Sequence, residues 1–215
     1  ARGADFYMNP VWHPGGEWAA WVEWDHPNMP WDGARLKLAR VAGSPPRLAE
    51  EQVLAGGADT PVPQPKFSPD GRWLSYIVTG EEWDRLEVID LQSMEKRVLV
   101  EGEFHLTNLA WVQGMHSYGW SRTSQRISYT RVRAGGYGLW SVDLNGNSQP
   151  IDCAPYTRIR QLTVSALDDS LAFIASAPST PDRIVRMDKN GMRTVVRSQG
   201  EDIPAEFFGV PQAVT

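Results

Sequence analysis

The first chemistry to consider is nucleophilic catalysis by one of the serine residues of this 215-residue chain. A hydrolase of the α/β type carries its nucleophile in the pattern Gly-x-Ser-x-Gly, on a sharp turn between a strand and a helix. The pattern does not occur in the sequence, and the nearest match, residues 119–123, ends in threonine. Trp120 within that match is better explained as the core residue of a strand. We therefore predict that the chain carries no catalytic residue.

Metal binding is the second chemistry to consider. Zinc sites need cysteine and histidine at set spacings, such as two histidines four residues apart on a helix. Cys153 is the single cysteine, and no two of the histidines have that spacing. The histidines are His13, His26, His105 and His116. We expect neither a metal site nor a cofactor, and we expect His13 to be a turn residue that bonds to the backbone.

One loop, residues 24–33, concentrates side chains that could bind a ligand. Its candidate residues for a substrate channel are Trp24, Asp25, His26, Met29, Trp31 and Asp32. Loops carry function because a rigid scaffold positions them, and an aromatic and acidic loop could hold the free amine or an apolar side chain of a peptide. Alternatively, the aromatic residues anchor the loop to neighbouring structure. The two roles can coexist.

The elements that position these residues are predicted from an internal repeat. The clearest unit, Pro65 to Val100, has four short strand-like runs separated by turns, and it includes the sequence Phe-Ser-Pro-Asp-Gly-Arg-Trp-Leu at 67–74. A shift of 53 residues superimposes Phe67 on Trp120, and further copies are centred near residues 12 and 164. The repeat predicts an all-β fold of about four four-stranded antiparallel blades in one domain, at about 8–55, 60–103, 107–153 and 158–199.

Turns and connecting segments give more detailed expectations. Asn145-Gly146 and Asn190-Gly191 predict two-residue hairpins of type I′, in which both central residues have positive φ. Residues 42–64 predict a loop, and residues 46–54 within it are the best candidate for a helix, of at most two turns. Residues 73–78 are apolar in both alternating sets, as expected for a strand that is covered on both faces.

Composition argues against two classes of function. The net charge is −5 and no stripe of lysine and arginine occurs, which argues against nucleic-acid binding. No stretch approaches the ~18 consecutive apolar residues of a membrane span, so no membrane partner is expected. A lone cysteine favours a reducing compartment, and we expect a cytoplasmic location.

The repeat and the loop resemble a known family. The Ser-Pro-Asp-Gly turn at 68–71 is similar to the propeller repeat of the prolyl oligopeptidase (S9) serine peptidases and of translocation-associated periplasmic propellers. Residues 9–33, 64–71 and 110–115 resemble the bacterial acylaminoacyl-peptidase and dipeptidyl-aminopeptidase-like members. The resemblance implies a partial β-propeller, a fragment of a ring of seven or eight blades. Residues 203–215 would then be the exit segment towards an absent C-terminal α/β-hydrolase domain.

The resemblance also implies a function. The chain is expected to be the non-catalytic propeller part of a serine peptidase, which gates substrate access and helps to bind short peptides. The fragment itself would be inactive, while the parent would be an aminopeptidase or oligopeptidase. The alternative is a non-enzymatic interaction module of the periplasmic type. Expected partners are the hydrolase domain, short peptides and, through open blade faces, further copies of the chain.

Overall fold

The computed structural model describes residues 1–200, 204 and 207–209. Within them, sixteen β-strands form four four-stranded antiparallel sheets. The predicted all-β fold, a partial β-propeller of four blades, is confirmed. No helix in this described part of the chain is long and apolar enough to cross a membrane. The chain divides into two compact units, residues 1–115 and 116–215. Most of the exit segment predicted at 203–215 lies outside the described residues.

The first sheet belongs to the first unit. Its strands are β1 (Phe6–Trp12), β2 (Trp18–Trp24), β3 (Arg35–Ala42) and β4 (Arg47–Gly56), and they pair in chain order. The predictions of a loop and a short helix between residues 42 and 64 are wrong where β4 lies. Residues 47–56 contain good helix formers, but their pairing with β3 and the burial of Leu54 override that weak preference.

The second sheet completes the first unit. Its strands are β5 (Lys66–Phe67), β6 (Trp73–Thr79), β7 (Asp84–Asp90) and β8 (Lys96–Val100). Residues 73–78 of β6 are all buried, as the sequence predicts. The core of this unit contains Val62, from the segment between the two sheets, and side chains from both sheets, namely Ala20, Leu36, Leu38, Leu54, Leu74, Tyr76, Val78 and Ile89. Burial of such apolar surface is the main stabilising contribution to folding.

The second unit holds the other two sheets. The third contains β9 (Tyr118–Trp120), β10 (Arg126–Arg133), β11 (Gly136–Asp143) and β12 (Ser148–Ile151). The fourth contains β13 (Arg158–Val164), β14 (Leu171–Ala177), β15 (Thr180–Asp188) and β16 (Gly191–Arg197). Leu139 of the third sheet packs in one core with residues of the fourth, namely Ile159, Leu162, Leu171, Phe173, Ala175 and Val185.

A turn of one form joins the first two strands of every sheet. The residue that opens it donates its backbone N–H to a carbonyl five residues later, at 2.8–2.9 Å. The opening residues are His13, Ser68, Ser121 and Ser165. Each turn also contains a residue with positive φ, and these are Gly16 (75°), Gly71 (75°), Ser124 (60°) and Asp169 (59°). The internal repeat is therefore a repeat of backbone geometry as well as of sequence.

Successive turns are bonded to each other within each unit. In the first unit, the Nδ1 of His13 accepts a hydrogen bond from the Gly15 N–H at 3.0 Å, so Nε2 carries the proton. That Nε2 lies 2.9 Å from the carbonyl oxygen of Gly71 and donates to it, which confirms that His13 bonds to the backbone. In the second unit, the backbone N–H of Arg122 donates to Asp169 Oδ1 at 2.6 Å.

The two predicted type I′ hairpins are wrong. Only the glycines have positive φ, 84° at Gly146 and 104° at Gly191, whereas Asn145 and Asn190 do not. The cause lies in the preceding aspartates. The Oδ1 atoms of Asp143 and Asp188 accept the N–H groups of Asn145 and Asn190, each at 2.9 Å. This side-chain bond favours a local Asx turn, and the following glycine then takes the left-handed conformation.

Candidate functional site

The loop between β2 and β3, residues 25–34, is built from two consecutive turns. Asn28 N donates to the Asp25 carbonyl and Asp32 N donates to the Met29 carbonyl, each at 3.0 Å. The Asp32 carboxylate in turn accepts the Met29 N–H at 3.2 Å. The Asn28 side chain packs closely on Gly33, because a Cβ at that glycine would lie 2.7 Å from Asn28 Nδ2 and would require the amide to move. The loop therefore has a defined conformation set by its own backbone and side-chain bonds.

Two of the predicted site residues hold the start of this loop in place. Trp24 is buried at the end of β2 and stacks on Phe6, with ring centroids 5.4 Å apart. Asp25 accepts a 2.6 Å hydrogen bond from Arg35 and a 3.2 Å bond from the Asp5 N–H. The Arg35 bond holds the pKa of Asp25 below its usual value. Both residues anchor the loop, as one of the two sequence interpretations expects.

Three further predicted residues are exposed. They are His26, Met29 and Asp32. The His26 backbone N–H donates to Asp5 Oδ2 at 3.0 Å, and the Asp32 carbonyl accepts from Asp59 at 3.0 Å. The structure does not bring the three side chains together around one point.

Trp31 is the sixth predicted residue, and it lies at the wall of a cavity. Its ring is tilted against Trp111 with centroids 4.4 Å apart. The cavity has a volume of about 330 Å³, and its walls also include Pro30, Pro63 and Leu109. This size lies at the lower end of the range of small-molecule sites. Of the six residues predicted for a substrate channel, Trp31 alone lines this cavity.

The opposite wall of the cavity comes from the second sheet. Residues 61–63 run beside β6, where Thr79 N donates to the Pro61 carbonyl at 3.0 Å and Ile77 N donates to the Pro63 carbonyl at 3.2 Å. The β6–β7 hairpin closes with Gly80 N donating to the Trp83 carbonyl at 3.2 Å. This hairpin places Asp84, the first residue of β7, at the cavity.

Asp84 is the polar end of the cavity. It is only 2% exposed, and its Oδ2 accepts the N–H groups of Leu106 at 2.7 Å and Thr107 at 3.3 Å. Its Oδ1 is buried and makes no hydrogen bond to the described residues. Burial raises the pKa of Asp84, and the two backbone bonds act in the opposite direction. Two backbone hydrogen bonds therefore hold the carboxyl group through Oδ2, whereas Oδ1 accepts no hydrogen bond from the described residues.

His105 lies next to this carboxyl group. Its Nδ1 is 3.7 Å from Asp84 Oδ2, and half of its side chain is exposed. Its ring lies against Trp83, with centroids 5.2 Å apart. The segment that carries it is fixed further by a 2.8 Å hydrogen bond from Gln64 Nε2 to Thr107 Oγ1. The arrangement places a buried carboxyl group and a half-exposed imidazole beside a cavity whose walls are mostly apolar.

The sequence interpretation missed Asp84 and His105. The two residues are far apart in the chain, and only the return of residues 104–107 to the start of β7 brings them together. The one available signal was an aspartate at the first position of a strand, after the exposed residues Glu81 and Glu82. Among the described residues, no three His, Cys, Asp or Glu side chains are grouped so as to hold a metal ion.

Comparison with known proteins finds relatives among solved structures. No protein-family model and no curated protein matches the chain. A puromycin-hydrolyzing peptidase of Mycobacterium tuberculosis matches with a TM-score of 0.87 and 24% identity, over 99% of this chain and 32% of that one. A puromycin hydrolase matches with a TM-score of 0.83 and 27% identity, over 98% of this chain and 31% of that one. The chain has the fold of the propeller domain of an S9-family peptidase.

The S9-type propeller predicted from the repeat is thus confirmed, whereas the acylaminoacyl-peptidase or dipeptidyl-aminopeptidase-like membership predicted from residues 9–33 stays a prediction. The chain spans about a third of the length of each of these two S9-type peptidases. TolB from Acinetobacter baumannii is also similar, with a TM-score of 0.64 and 15% identity over 92% of this chain and 45% of that one. At that identity the likeness shows the fold alone.

Proposed function

We propose that the chain is the non-catalytic propeller part of a serine peptidase of the prolyl oligopeptidase type. In this proposal it restricts access to a C-terminal α/β-hydrolase domain of the parent protein and helps to bind short peptides. The observation that carries the proposal is the likeness of the chain to a puromycin hydrolase, on a propeller fold that also presents a mostly apolar cavity beside Trp31. Small-molecule and peptide sites commonly have this composition.

The proposal assigns catalysis to the hydrolase domain and substrate selection to the propeller. A peptidase needs a nucleophile, a general base and donors for the oxyanion, and no Gly-x-Ser-x-Gly sequence is present to supply the first. A rigid ring of blades would instead select substrates by size, admitting extended peptides and excluding folded proteins. We further propose a parent of the acylaminoacyl-peptidase or dipeptidyl-aminopeptidase-like kind, as the resemblance of residues 9–33 implies.

The location and self-association of the chain are also proposals. A cytoplasmic location is supported by the single cysteine, Cys153, because disulfides are rare in that compartment. Association with a second copy is supported by β1, where Phe6 is 45% exposed and Trp12 is 64% exposed. Exposed apolar side chains of this kind favour association with another apolar surface. Sedimentation velocity would show this as dimers that a Trp12→Ser variant no longer forms, whereas a native chain that stays monomeric at every concentration would contradict it.

The main proposal is tested on the complete gene product. The reading frame beyond Thr215 is sequenced, and the encoded protein is assayed with a short peptide and with the same peptide inside a folded protein. We expect a following Gly-x-Ser-x-Gly segment, cleavage of the free peptide and no cleavage of the folded one. Shortening the loop at residues 26–32 should raise KM. A reading frame that ends near Thr215 would contradict the peptidase and favour the interaction module.

A further inference from the structure

The second unit contains a cavity at the ends of its two sheets. The cavity has a volume of about 520 Å³ and lies where the β10–β11 hairpin, the β14–β15 hairpin and the start of β13 meet. Two backbone hydrogen bonds join these segments. Tyr137 N donates to the Thr157 carbonyl at 3.0 Å, and Thr157 N donates to the Ser176 carbonyl at 3.1 Å. The cavity therefore has fixed walls, and its volume lies within the range of small-molecule sites.

Arg158 gives this cavity its charge. Its side chain is exposed, and among the lining residues that the structure describes it is the one charged residue. Asp182 interacts with Arg158 electrostatically but forms its ion pair with Arg160. A guanidinium group carries five N–H donors in a planar fork. Arg158 therefore offers donors that a ligand in the cavity can reach.

The remaining walls supply a hydroxyl group and apolar surface. Thr157 is exposed and precedes Arg158 in the chain, so a second kind of donor lies beside the guanidinium group. Val132, Ala177 and Pro178 provide apolar walls, and the described lining includes neither aspartate nor glutamate. Apolar walls with a few polar groups are typical of sites for small ligands. The surroundings favour an anionic group attached to an apolar body.

We infer that this cavity binds a carboxylate carried on an apolar body, with the Arg158 guanidinium donating to both carboxylate oxygens. A carboxylate suits this side chain because the planar guanidinium can donate two parallel N–H bonds to its two oxygens. The inference rests on the proposed peptide-binding function and makes it more specific, since it assigns the C-terminal carboxylate of a short peptide with an apolar last residue to this cavity. Val132 and Pro178 would contact the apolar side chain.

The test compares two probes on the full chain, N-acetylphenylalanine and N-acetylphenylalaninamide. They share the apolar ring, but only the first has a carboxylate. Binding is followed by the backbone amide NMR signals of Tyr137 and Thr157, whose hydrogen bonds join the walls of the cavity. We expect the acid to shift both signals saturably and the amide to leave them unchanged. Added salt should weaken binding of the acid, because exposed charges are screened.

Inorganic phosphate is a third probe, because it is an anion without an apolar body. It should bind more weakly than N-acetylphenylalanine, since it gains nothing from the apolar walls. Equal or tighter binding of phosphate would mean that the cavity binds anions in general and would overturn the assignment to a peptide carboxylate.

Variants then assign the interaction to Arg158. Arg158→Gln removes the charge from an exposed position and should weaken binding of the acid by about tenfold or more. Arg158→Lys keeps the charge and should also weaken binding, because an ammonium group lacks the planar fork. Arg193→Gln is the matched control, since it removes the same charge from an exposed position of β16 that does not line the cavity. It should leave binding unchanged.

Some outcomes would overturn the inference. They are equal binding of the acid and the amide, no saturable binding of the acid to the native chain, or unchanged binding in Arg158→Gln. If short peptides with free and with amidated C-termini bind the chain equally, the peptide-binding proposal survives and this site is wrong. If the acid binds as expected but no hydrolase segment follows in the gene, the site stands and the peptidase proposal fails.

Discussion

The His13 imidazole and the Gly71 carbonyl oxygen lie 2.9 Å apart and join the turns of the first two sheets. The same ring meets Phe67 edge-on, with centroids 5.4 Å apart. Replacing His13 by serine, the residue at the equivalent position of the other three turns, removes both contacts. We expect the free energy of unfolding of the first unit to fall by about 1–2 kcal/mol.

Urea unfolding followed by tryptophan fluorescence measures this loss. His26→Ser is the control, because His26 is exposed and its bond to Asp5 comes from the backbone. Equal stabilities of the His13 and His26 variants would show that the bond between the turns contributes nothing.

Asp84 should make stability fall as the pH rises. Burial raises its pKa in the folded state above the unfolded value of about 3.9. A raised pKa means that the folded state prefers the protonated acid, so this contribution is complete below pH ~3.9 and is lost as the pH rises through the folded value. Asp84→Asn lacks the titration. The variant should therefore gain melting temperature relative to the native chain as the pH rises, and parallel curves would contradict this.

Asp168, in the second unit, should make stability fall as the pH falls. Hydrogen bonds from Ser165 and Ser170 lower its pKa to about 2, and Arg186 adds a 2.8 Å ion pair. Its stabilising contribution is therefore present above pH ~3.9 and lost as the pH falls through about 2. Asp168→Asn should lower the urea midpoint at pH 7, and the difference should vanish near pH 2. A difference that persists at pH 2 would assign the effect to something other than the charge.

Substitutions of Trp24 and Trp31 should distinguish a residue that anchors the loop from one that contacts a ligand. Trp24 is 8% exposed and stacked on Phe6, so Trp24→Ala should cost about 3–5 kcal/mol of stability. Trp31 is half-buried at the cavity wall. Trp31→Ala should therefore lower stability less than Trp24→Ala does and should weaken peptide binding more. Thermal unfolding and titration of both variants with a short peptide check this. The reverse ranking in both measurements would contradict the assignment.

Phe173 tests the core of the second unit. It is 2% exposed and packs among side chains of the third and fourth sheets. Phe173→Ala leaves a cavity and should lower the free energy of unfolding by about 3–5 kcal/mol. Leu167→Ala is the matched control, since Leu167 is 87% exposed and should change stability by less than about 0.5 kcal/mol. Calorimetry of both variants gives the two values.

Local chemistry that repeats along the chain was predictable. The turns at Ser68 and Ser121 recur at a fixed spacing, so sequence alone indicated equivalent blades, and the structure gives them the same hydrogen bonds. Structure that depends on contacts between distant parts of the chain was not predictable from the sequence. Residues 47–56 form a strand only because β3 pairs with them. Asp84 becomes a buried acceptor only because residues 104–107 return to it, and neither event leaves a pattern in the local sequence.

The close approach of His13 to Gly71 has an evolutionary consequence. A Cβ at position 71 would lie 2.3 Å from His13 Nε2, whereas the equivalent positions in the second unit are Ser124 and Asp169. A larger residue at position 71 therefore requires a smaller residue at position 13. In related sequences, a side chain at the position of Gly71 should occur with a residue smaller than histidine at the position of His13. Covariation between these two columns, 58 residues apart, would record the contact.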